Sequence, residues 1–375
     1  MLIAGISMKR QCRAVVLTAP KTLEMRTFDL PEIGNDDGLL ELELVGVCGS
    51  DPGIYEGRAT RGPRPFPIIL GHEIVGRVAK MGDGACRRLG VQQGDRVVIE
   101  YAFGCGRCDS CVAGHYTLCE MNYTYGSMIS CERPPHLFGG YSEFVYIHPN
   151  AMVHKIGDEI SPEIGVLICA VLGNGIRWLN HIGGVSIGDT VAIVGPGQQG
   201  LAGVAVAKAS GANPIVIVGL SRDKSRLEMA KQFGADITLN ADEVDPVKRL
   251  AEITAGKMAN VVMDVTGSPK GAQLALNLAG RKGTVVLPGI YKGKEVPLNL
   301  DRAVVNEIKL VGVFSQDFRS VRPAIKMARE GRFPFDRLIT HRLPLDQAEK
   351  ALRLVSGAEP GEMPLKVVLD PNMKP

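Results

Sequence analysis

The pattern of apolar and polar positions changes character along the chain. From Cys12 to about Val47 it comes in short alternating or apolar runs broken by Pro, Gly and Asp. Arg13–Leu17 and Leu39–Val45 are the clearest strands, and Val75–Ala79 and Gly94–Ile99 continue the theme. No stretch in this part has helical periodicity, so the first domain is expected to be mainly β. From Thr190 the pattern becomes an apolar, β-branched run (Thr190–Val194), a turn (Gly195-Pro-Gly-Gln-Gln-Gly200), a small-residue apolar segment (Leu201–Ser210), a break at Gly211 and a second apolar run (Pro214–Gly219). That reads strand, tight turn, helix, strand. A helix over Ser225–Phe233 stopped by Gly234 follows. Strands at Val261–Val265 and Thr284–Leu287 flank a helix over Ala272–Leu278 and continue a parallel sheet. Lys309–Phe314 is the last strand of this group, at an edge, and the chain closes with a helix near Val321–Arg329 and a strand at Leu365–Leu369.

The glycine turn turns this pattern into chemistry. Gly195 permits a sharp exit from the strand, Gly197 lets the backbone approach a pyrophosphate, and Gly200 lets the helix pack closely. The helix N-terminus offers free N–H groups and partial positive charge to phosphates. The reading is a dinucleotide-binding βαβ unit, against a glycine-rich turn of some other α/β domain.

Composition narrows the setting. At 375 residues the chain is long enough for two domains, and 45% hydrophobic with 22% charged residues is ordinary for a globular protein. A net charge of +3 with dispersed basic residues argues for neither nucleic acid nor anionic membrane. No apolar run is expected to reach membrane-spanning length. The opening Met1–Ser7 is too short and uncharged for a signal peptide, and Met8 offers an internal start. The expectation is a cytoplasmic protein whose nine cysteines are reduced and available to metal.

Two clusters offer such ligands. Cys48 and His72 combine thiolate and imidazole, the donors zinc prefers, after similar strand runs; singly, each reads as a buried thiol and a solvated histidine. Cys105, Cys108, Cys111 and Cys119 follow a C-x2-C-x2-C-x7-C spacing. Four thiolates close a tetrahedron with no vacant position, so this zinc is structural. His115 competes as a ligand but is not needed, and an iron–sulfur cluster lacks the expected Cys-Pro continuation.

With these elements in order, the sequence resembles the zinc-dependent medium-chain dehydrogenase/reductase family, alcohol dehydrogenase type, over nearly its whole length. The resemblance rests on Gly71-His72-Glu73, the four-cysteine lobe, Gly139–Val145, the 195–200 turn, Asp264–Gly267 and Leu365–Val368. It implies an α/β protein: a Rossmann coenzyme domain with a doubly wound parallel sheet, plus a mainly β, GroES-like catalytic domain. The implied boundaries are 1–170 for the catalytic domain (zinc lobe 100–120), 171–314 for the coenzyme domain and 315–375 for the return. It implies a catalytic zinc on Cys48, His72 and Cys169, where polyol dehydrogenases often carry glutamate at the third position. Glu73 matches a carboxylate that can approach the metal, Asp51 one that orients the histidine, and Ser50 a hydroxyl that starts a proton relay. Gly53 stands where many members have the histidine that passes the proton on.

Coenzyme contacts are implied at Gly195, Gly197, Gln198, Gln199, Gly200, Ser221, Arg222, Thr266 and Lys366, the last with an exposed strand lysine as the alternative. Ser221 occupies the place of the acid that selects NAD, and with Arg222 it suits a 2′-phosphate, so NADP(H) is expected over NAD(H). Asp223 is the counter-reading, as a ribose ligand or as an acid in the first turn of the next helix. Tyr55, Tyr101, Phe103, Tyr125 and Asn174–Trp178 are expected to shape the substrate pocket or hinge. The implied function is hydride transfer between an alcohol, or its aldehyde or ketone, and NADP(H) or NAD(H), with two zincs per chain in a homodimer or homotetramer. A polyol or amino-alcohol dehydrogenase is the alternative, and a non-catalytic zinc-binding member a third reading.

Overall fold

A computed structural model describes residues 10–58 and 62–374; the leader and Met8 lie outside them. The chain forms two compact units, 1–167 with 339–375, and 168–338. The first contains β1 (Gln11–Ala19), β2 (Thr22–Asp29), β3 (Gly38–Val47), β4 (Ile68–Ile69), β5 (Glu73–Met81), β6 (Arg96–Ile99), β7 (Phe144–Ile147) and β8 (Val153–Lys155). The second contains β9 (Val191–Val194), β10 (Ile215–Gly219), β11 (Ile237–Asn240), β12 (Ala259–Asp264), β13 (Ala279–Leu287) and β14 (Lys309–Gly312). The chain then returns to the first unit with β15 (Ile339–Pro344) and β16 (Lys366–Asp370).

In the second unit the sheet order is β11-β10-β9-β12-β13-β14, all parallel. Counted from β9, that is the 3-2-1-4-5-6 order of the doubly wound dinucleotide fold, whose ligand crevice opens where the order reverses, at the carboxyl ends of β9 and β12. Parallel strands covered on both faces are buried throughout, which is why Val191–Val194 and Ile215–Gly219 read as unbroken apolar runs. The helix Gln198–Ala209 buries eight residues, from Gly200 to Ala207, so it too is apolar nearly all round.

The first unit is mainly β, built on a seven-stranded sheet ordered β15-β16-β3-β5-β6-β8 with β7 also paired to β3, and a smaller sheet β2-β1-β4. Its core gathers Val16, Leu17, Leu40, Leu42, Val45, Tyr141, Val367 and Leu369 among others. Short helices interrupt it at Asp51–Tyr55, Asp83–Leu89, Pro162–Leu167 and Ala348–Ser356. Most are too short to print a 3.6-residue period on the sequence, so the β pattern hid them.

Two expectations change. Residues 315–338, expected with the return, belong to the second unit. The helix Phe318–Arg329, capped by Asp317, buries Val321, Ala324, Ile325, Met327 and Ala328 against the helical stretch over 168–182. One helical stretch among the described residues, Pro162–Ile182, is long and apolar enough to cross a membrane, but most of it is buried inside the protein as a core helix.

Candidate functional site

The candidate metal cluster of the first unit follows from strand register. Antiparallel pairing sets Gly46 of β3 opposite Glu73 of β5, so the end of one strand lies beside the start of the other. Cys48, just past β3, and His72, just before β5, are thereby brought together, and the ligand atoms of Cys48, His72 and Glu73 all lie within 4.8 Å of one another. Asp51, fully buried at the start of the short helix, braces both ligands. Its Oδ2 accepts the Cys48 N–H at 2.9 Å and the Tyr141 hydroxyl at 3.0 Å, and its Oδ1 lies 3.4 Å from His72 Nδ1. With Nδ1 turned to a carboxylate, Nε2 is the nitrogen left for a metal. Burial works against a charged His72, but Asp51 and Cys48 outweigh it and hold the imidazole well above its ordinary pKa. Burial first, and the neighbouring Asp51 second, push Tyr141 well above the usual phenol range, so it stays a donor.

Glu73 is fully buried, with Oε2 paired to Lys366 Nζ, which also donates to the Val47 carbonyl at 3.3 Å. Gly46 makes room for this pair: a Cβ there would sit 2.0 Å from Glu73 Oε2 and 2.7 Å from Lys366 Cε. The other oxygen, Oε1, is buried with no hydrogen-bond partner. An orphaned carboxylate oxygen beside a thiol and an imidazole is what a zinc ion would satisfy, so the donor set fits the metal. Lys366 is not the exposed strand lysine of the alternative reading; its side chain is fully buried and its ammonium faces Glu73.

The Sγ atoms of Cys105, Cys108, Cys111 and Cys119 also lie within 4.8 Å of one another. The Cys105 N–H points at Cys119 Sγ (3.3 Å) and the Cys108 N–H at Cys105 Sγ (3.4 Å). Backbone N–H groups of Arg107 and Cys108 pull the Cys105 thiol down to about 6, while burial pushes Cys111 up to about 12. His115 is exposed and outside this cluster. A buried chain, Tyr116 Oη to Glu100 Oε2 (2.5 Å) and Glu100 Oε1 to His154 Nε2 (2.8 Å), ties the lobe to the β6–β8 edge. His154 has no role that its sequence position announces; here it pairs with Glu100.

In the second unit the turn after β9 has the required shape. Gly195 has φ +106°, and a Cβ on Gly200 would sit 1.9 Å from the Gly195 carbonyl oxygen. Around Gly197 nothing lies within 4 Å of an added Cβ, which leaves open backbone at the cap of the helix for a phosphate. Thr266 borders the crevice from β12, its hydroxyl donating to Asp264 Oδ1 at 2.6 Å and its Cγ2 lying 2.9 Å from a Cβ built on Gly195. Gln199 Nε2 and Asn174 Nδ2 both donate to the Ala170 carbonyl, at 2.7 and 2.5 Å. That carbonyl lies in a π-helical stretch, Ile168–Gly173, which also carries the buried Cys169. The side-chain oxygens of Asn174, Gln198 and Gln199 are buried without partners, a set of acceptors beside the coenzyme turn.

Residues 34–158 match the alcohol dehydrogenase GroES-like domain, and residues 200–330 match the zinc-binding dehydrogenase domain. A probable alcohol dehydrogenase of Mycobacterium tuberculosis is 39% identical over 96% of this chain and 98% of its own length. This chain belongs to the zinc-dependent medium-chain dehydrogenase family. A sorbitol dehydrogenase of Halalkalibacterium halodurans is 29% identical over 96% of the chain and 99% of its own. The solved structure of a putative zinc-binding dehydrogenase from Sinorhizobium meliloti, bound to NADP, is 26% identical with a TM-score of 0.84, covering 97% of this chain and all of that one. The medium-chain dehydrogenase fold read from the sequence, a Rossmann unit with a GroES-like unit, is the fold found, and the protein is an oxidoreductase.

The remaining expected residues of this medium-chain dehydrogenase fall as follows. Ser50 is exposed, and its hydroxyl makes no hydrogen bond among the described residues. At Gly53 an added Cβ would meet the Arg58 guanidinium at 3.2 Å, so the arginine covers the place of the family histidine. Asp223 is buried, accepting the Leu220 N–H at 3.1 Å and pairing with Arg226 at 3.2 Å, which makes it a helix-start residue. Ser221 has its N–H held by Asp242 and its hydroxyl bonded by Asn240, two partners the sequence did not suggest. Tyr101 stands edge-on to His72 at 6.0 Å. Tyr125 is fully buried in the core and tilted against Phe103 at 5.1 Å, while Phe103, also buried, borders a cavity with Tyr123, Arg133 and His148. Tyr55 donates to Glu349 at 2.8 Å, and Arg177 and Trp178 donate to the Ser315 carbonyl at 2.9 and 3.2 Å.

Proposed function

We propose that this chain is a zinc-dependent alcohol dehydrogenase or carbonyl reductase, exchanging a hydride between an alcohol, or the corresponding aldehyde or ketone, and NADP(H). The observation that carries the reading is the partly buried cluster of Cys48, His72 and Glu73, with Glu73 Oε1 buried and unsatisfied inside it. Cys48 and His72, with Glu73 beside them, would hold a catalytic zinc, and the four-cysteine lobe a structural one. When bound, the metal supplies a Lewis acid for the substrate oxygen and the nicotinamide supplies or accepts the hydride. The rest is the work of side chains. Asp51 fixes the imidazole tautomer, and Lys366 pairs with the buried Glu73 inside the fold. Ser50 can accept the substrate hydroxyl proton and donate its own; being exposed, it hands the proton to water, which replaces the histidine missing at Gly53. Ser221 and Arg222 support NADP(H), as does the NADP-bound relative. The edge position of β14 supports a homo-oligomer formed by strand pairing. The sorbitol dehydrogenase relative favours a second reading, a polyol as substrate.

Metal analysis and a substrate panel test this. Two zincs per chain are expected, one readily removed by chelator together with activity, and NADPH oxidation by aldehydes or ketones. A single tightly held zinc with no coenzyme turnover would end the proposal. Faster turnover of sorbitol-like substrates than of simple alcohols would move it to the polyol reading.

A further inference from the structure

The corner that selects the coenzyme holds a carboxylate that nothing in its sequence position announces. β10 and β11 run parallel with Gly219 opposite Asn240, so their ends deliver the following residues to one place. There Asp242 Oδ2 accepts the Ser221 N–H at 2.8 Å. Asn240 completes the knot: its Nδ2 donates to Ser221 Oγ at 3.0 Å and its Oδ1 accepts the Asp242 N–H at 3.1 Å. Ser221, Arg222 and Asp242 are all exposed. The Ser221 N–H first, then its hydroxyl and the charge of Arg222, hold the Asp242 carboxyl below its ordinary range. Asp242 therefore stays charged at neutral pH and feels Arg222.

In a doubly wound dinucleotide fold the adenosine ribose comes to the end of the second strand, here β10. A 2′-phosphate bound there needs backbone N–H groups and cations. The Ser221 N–H and Arg222 are those donors, and an anion already faces them. Resting on the reading of the chain as a nicotinamide-dependent dehydrogenase, we propose that Asp242 is a specificity-determining residue. Its carboxylate occupies the anion position beside Ser221 and Arg222 and weakens binding of the 2′-phosphate of NADP(H). A ribose with a free 2′-hydroxyl carries no charge to repel, so NAD(H) is unaffected. Coenzyme choice is then a balance between Arg222, which draws the phosphate, and Asp242, which opposes it.

The test titrates NADPH and NADH into the full-length zinc-loaded protein by fluorescence, at low and raised salt. Asp242→Asn retains an oxygen for the Ser221 N–H but loses the charge, whereas Asp242→Ala loses both. In water-exposed surroundings, removing one like charge a few ångströms from a phosphate tightens binding about five- to tenfold. Asp242→Asn is therefore expected to strengthen NADPH binding by about that factor, to leave NADH within about twofold, and to lose part of its gain in raised salt. Arg222→Ala should weaken NADPH alone. Equal shifts for both coenzymes in the Asp242 variants, or no shift for NADPH, would overturn the assignment while the dehydrogenase reading stood. A wild-type protein that bound neither coenzyme would end that reading and this inference with it. Tighter NADH than NADPH in the wild type would end the NADP preference alone, and a selective gain for NADPH in Asp242→Asn would still support the role of Asp242.

Discussion

Around the first metal cluster, single atoms decide whether the site can exist. Glu73 and Lys366 are held against each other with both side chains fully buried, and both fit because Gly46 has no side chain. Gly46→Ala would drive a methyl group into that pair, with an expected loss of about 1–3 kcal/mol and a lowered Tm. Lys366→Met would strand a buried carboxylate, with an expected loss of about 3–5 kcal/mol. Adding Glu73→Gln to Lys366→Met should recover most of that loss in chemical denaturation, because the unpaired charge is then gone. An unchanged double mutant would show that the lysine contributes packing alone. His148 gives a pH-dependence. Burial, and then the nearby Arg133, push its pKa down to about 4, so the unfolded chain binds this proton more readily than the folded one. Stability is therefore whole above the unfolded value of about 6.5 and is lost as pH falls from there toward about 4, by about 1–2 kcal/mol once exposure of the ring is allowed for. His148→Phe should flatten that part of the stability–pH curve.

At the level of elements, the sequence was most readable where one turn or one spacing has a single physical use. The β9 turn and the cysteine spacing were of that kind, since Gly195 needs positive φ, Gly200 touches a carbonyl, and four thiols close on one point. What escaped were relations between distant elements. The Asp242–Ser221 bond depends on two parallel strand ends meeting, and an Asp-Glu pair in a loop looks like any solvated turn. The Gln199–Ala170 bond depends on a π-helical turn that leaves a carbonyl for a side chain, and no hydrophobic period records that geometry. The place of Tyr125 escaped because an aromatic residue near a metal motif looks the same whether it lines a pocket or fills a core. The lobe also carries a prediction. Cys111→Ser should leave one zinc per chain, the chelator-sensitive one, and a Tm lowered by several degrees; retention of both metals would show that three thiolates suffice.

Across the whole molecule, each unit has its own apolar core, one gathered around β3 and β5 and the other around β9, β10 and β12. Ligands that bind one unit should therefore mark its unfolding transition. NADPH at about one hundred times its dissociation constant should stabilise the dinucleotide unit by about 2.7 kcal/mol, and zinc removal should lower the transition of the β-rich unit. Calorimetry in the presence of coenzyme, chelator or both checks this; a single transition moved equally by either would mean that the units unfold as one.

β16 is the last strand of the chain, yet it lies between β15 and β3, inside the larger sheet of a unit that begins near the N-terminus. During synthesis the ribosome must therefore deliver the entire dinucleotide unit before the first unit can close. Until β16 arrives, Glu73 has no counter-ion and β3 has a bare flank. A message truncated late, short of codon 366, would still encode Cys48, His72 and the four-cysteine lobe but would yield a protein with an open seam beside Glu73.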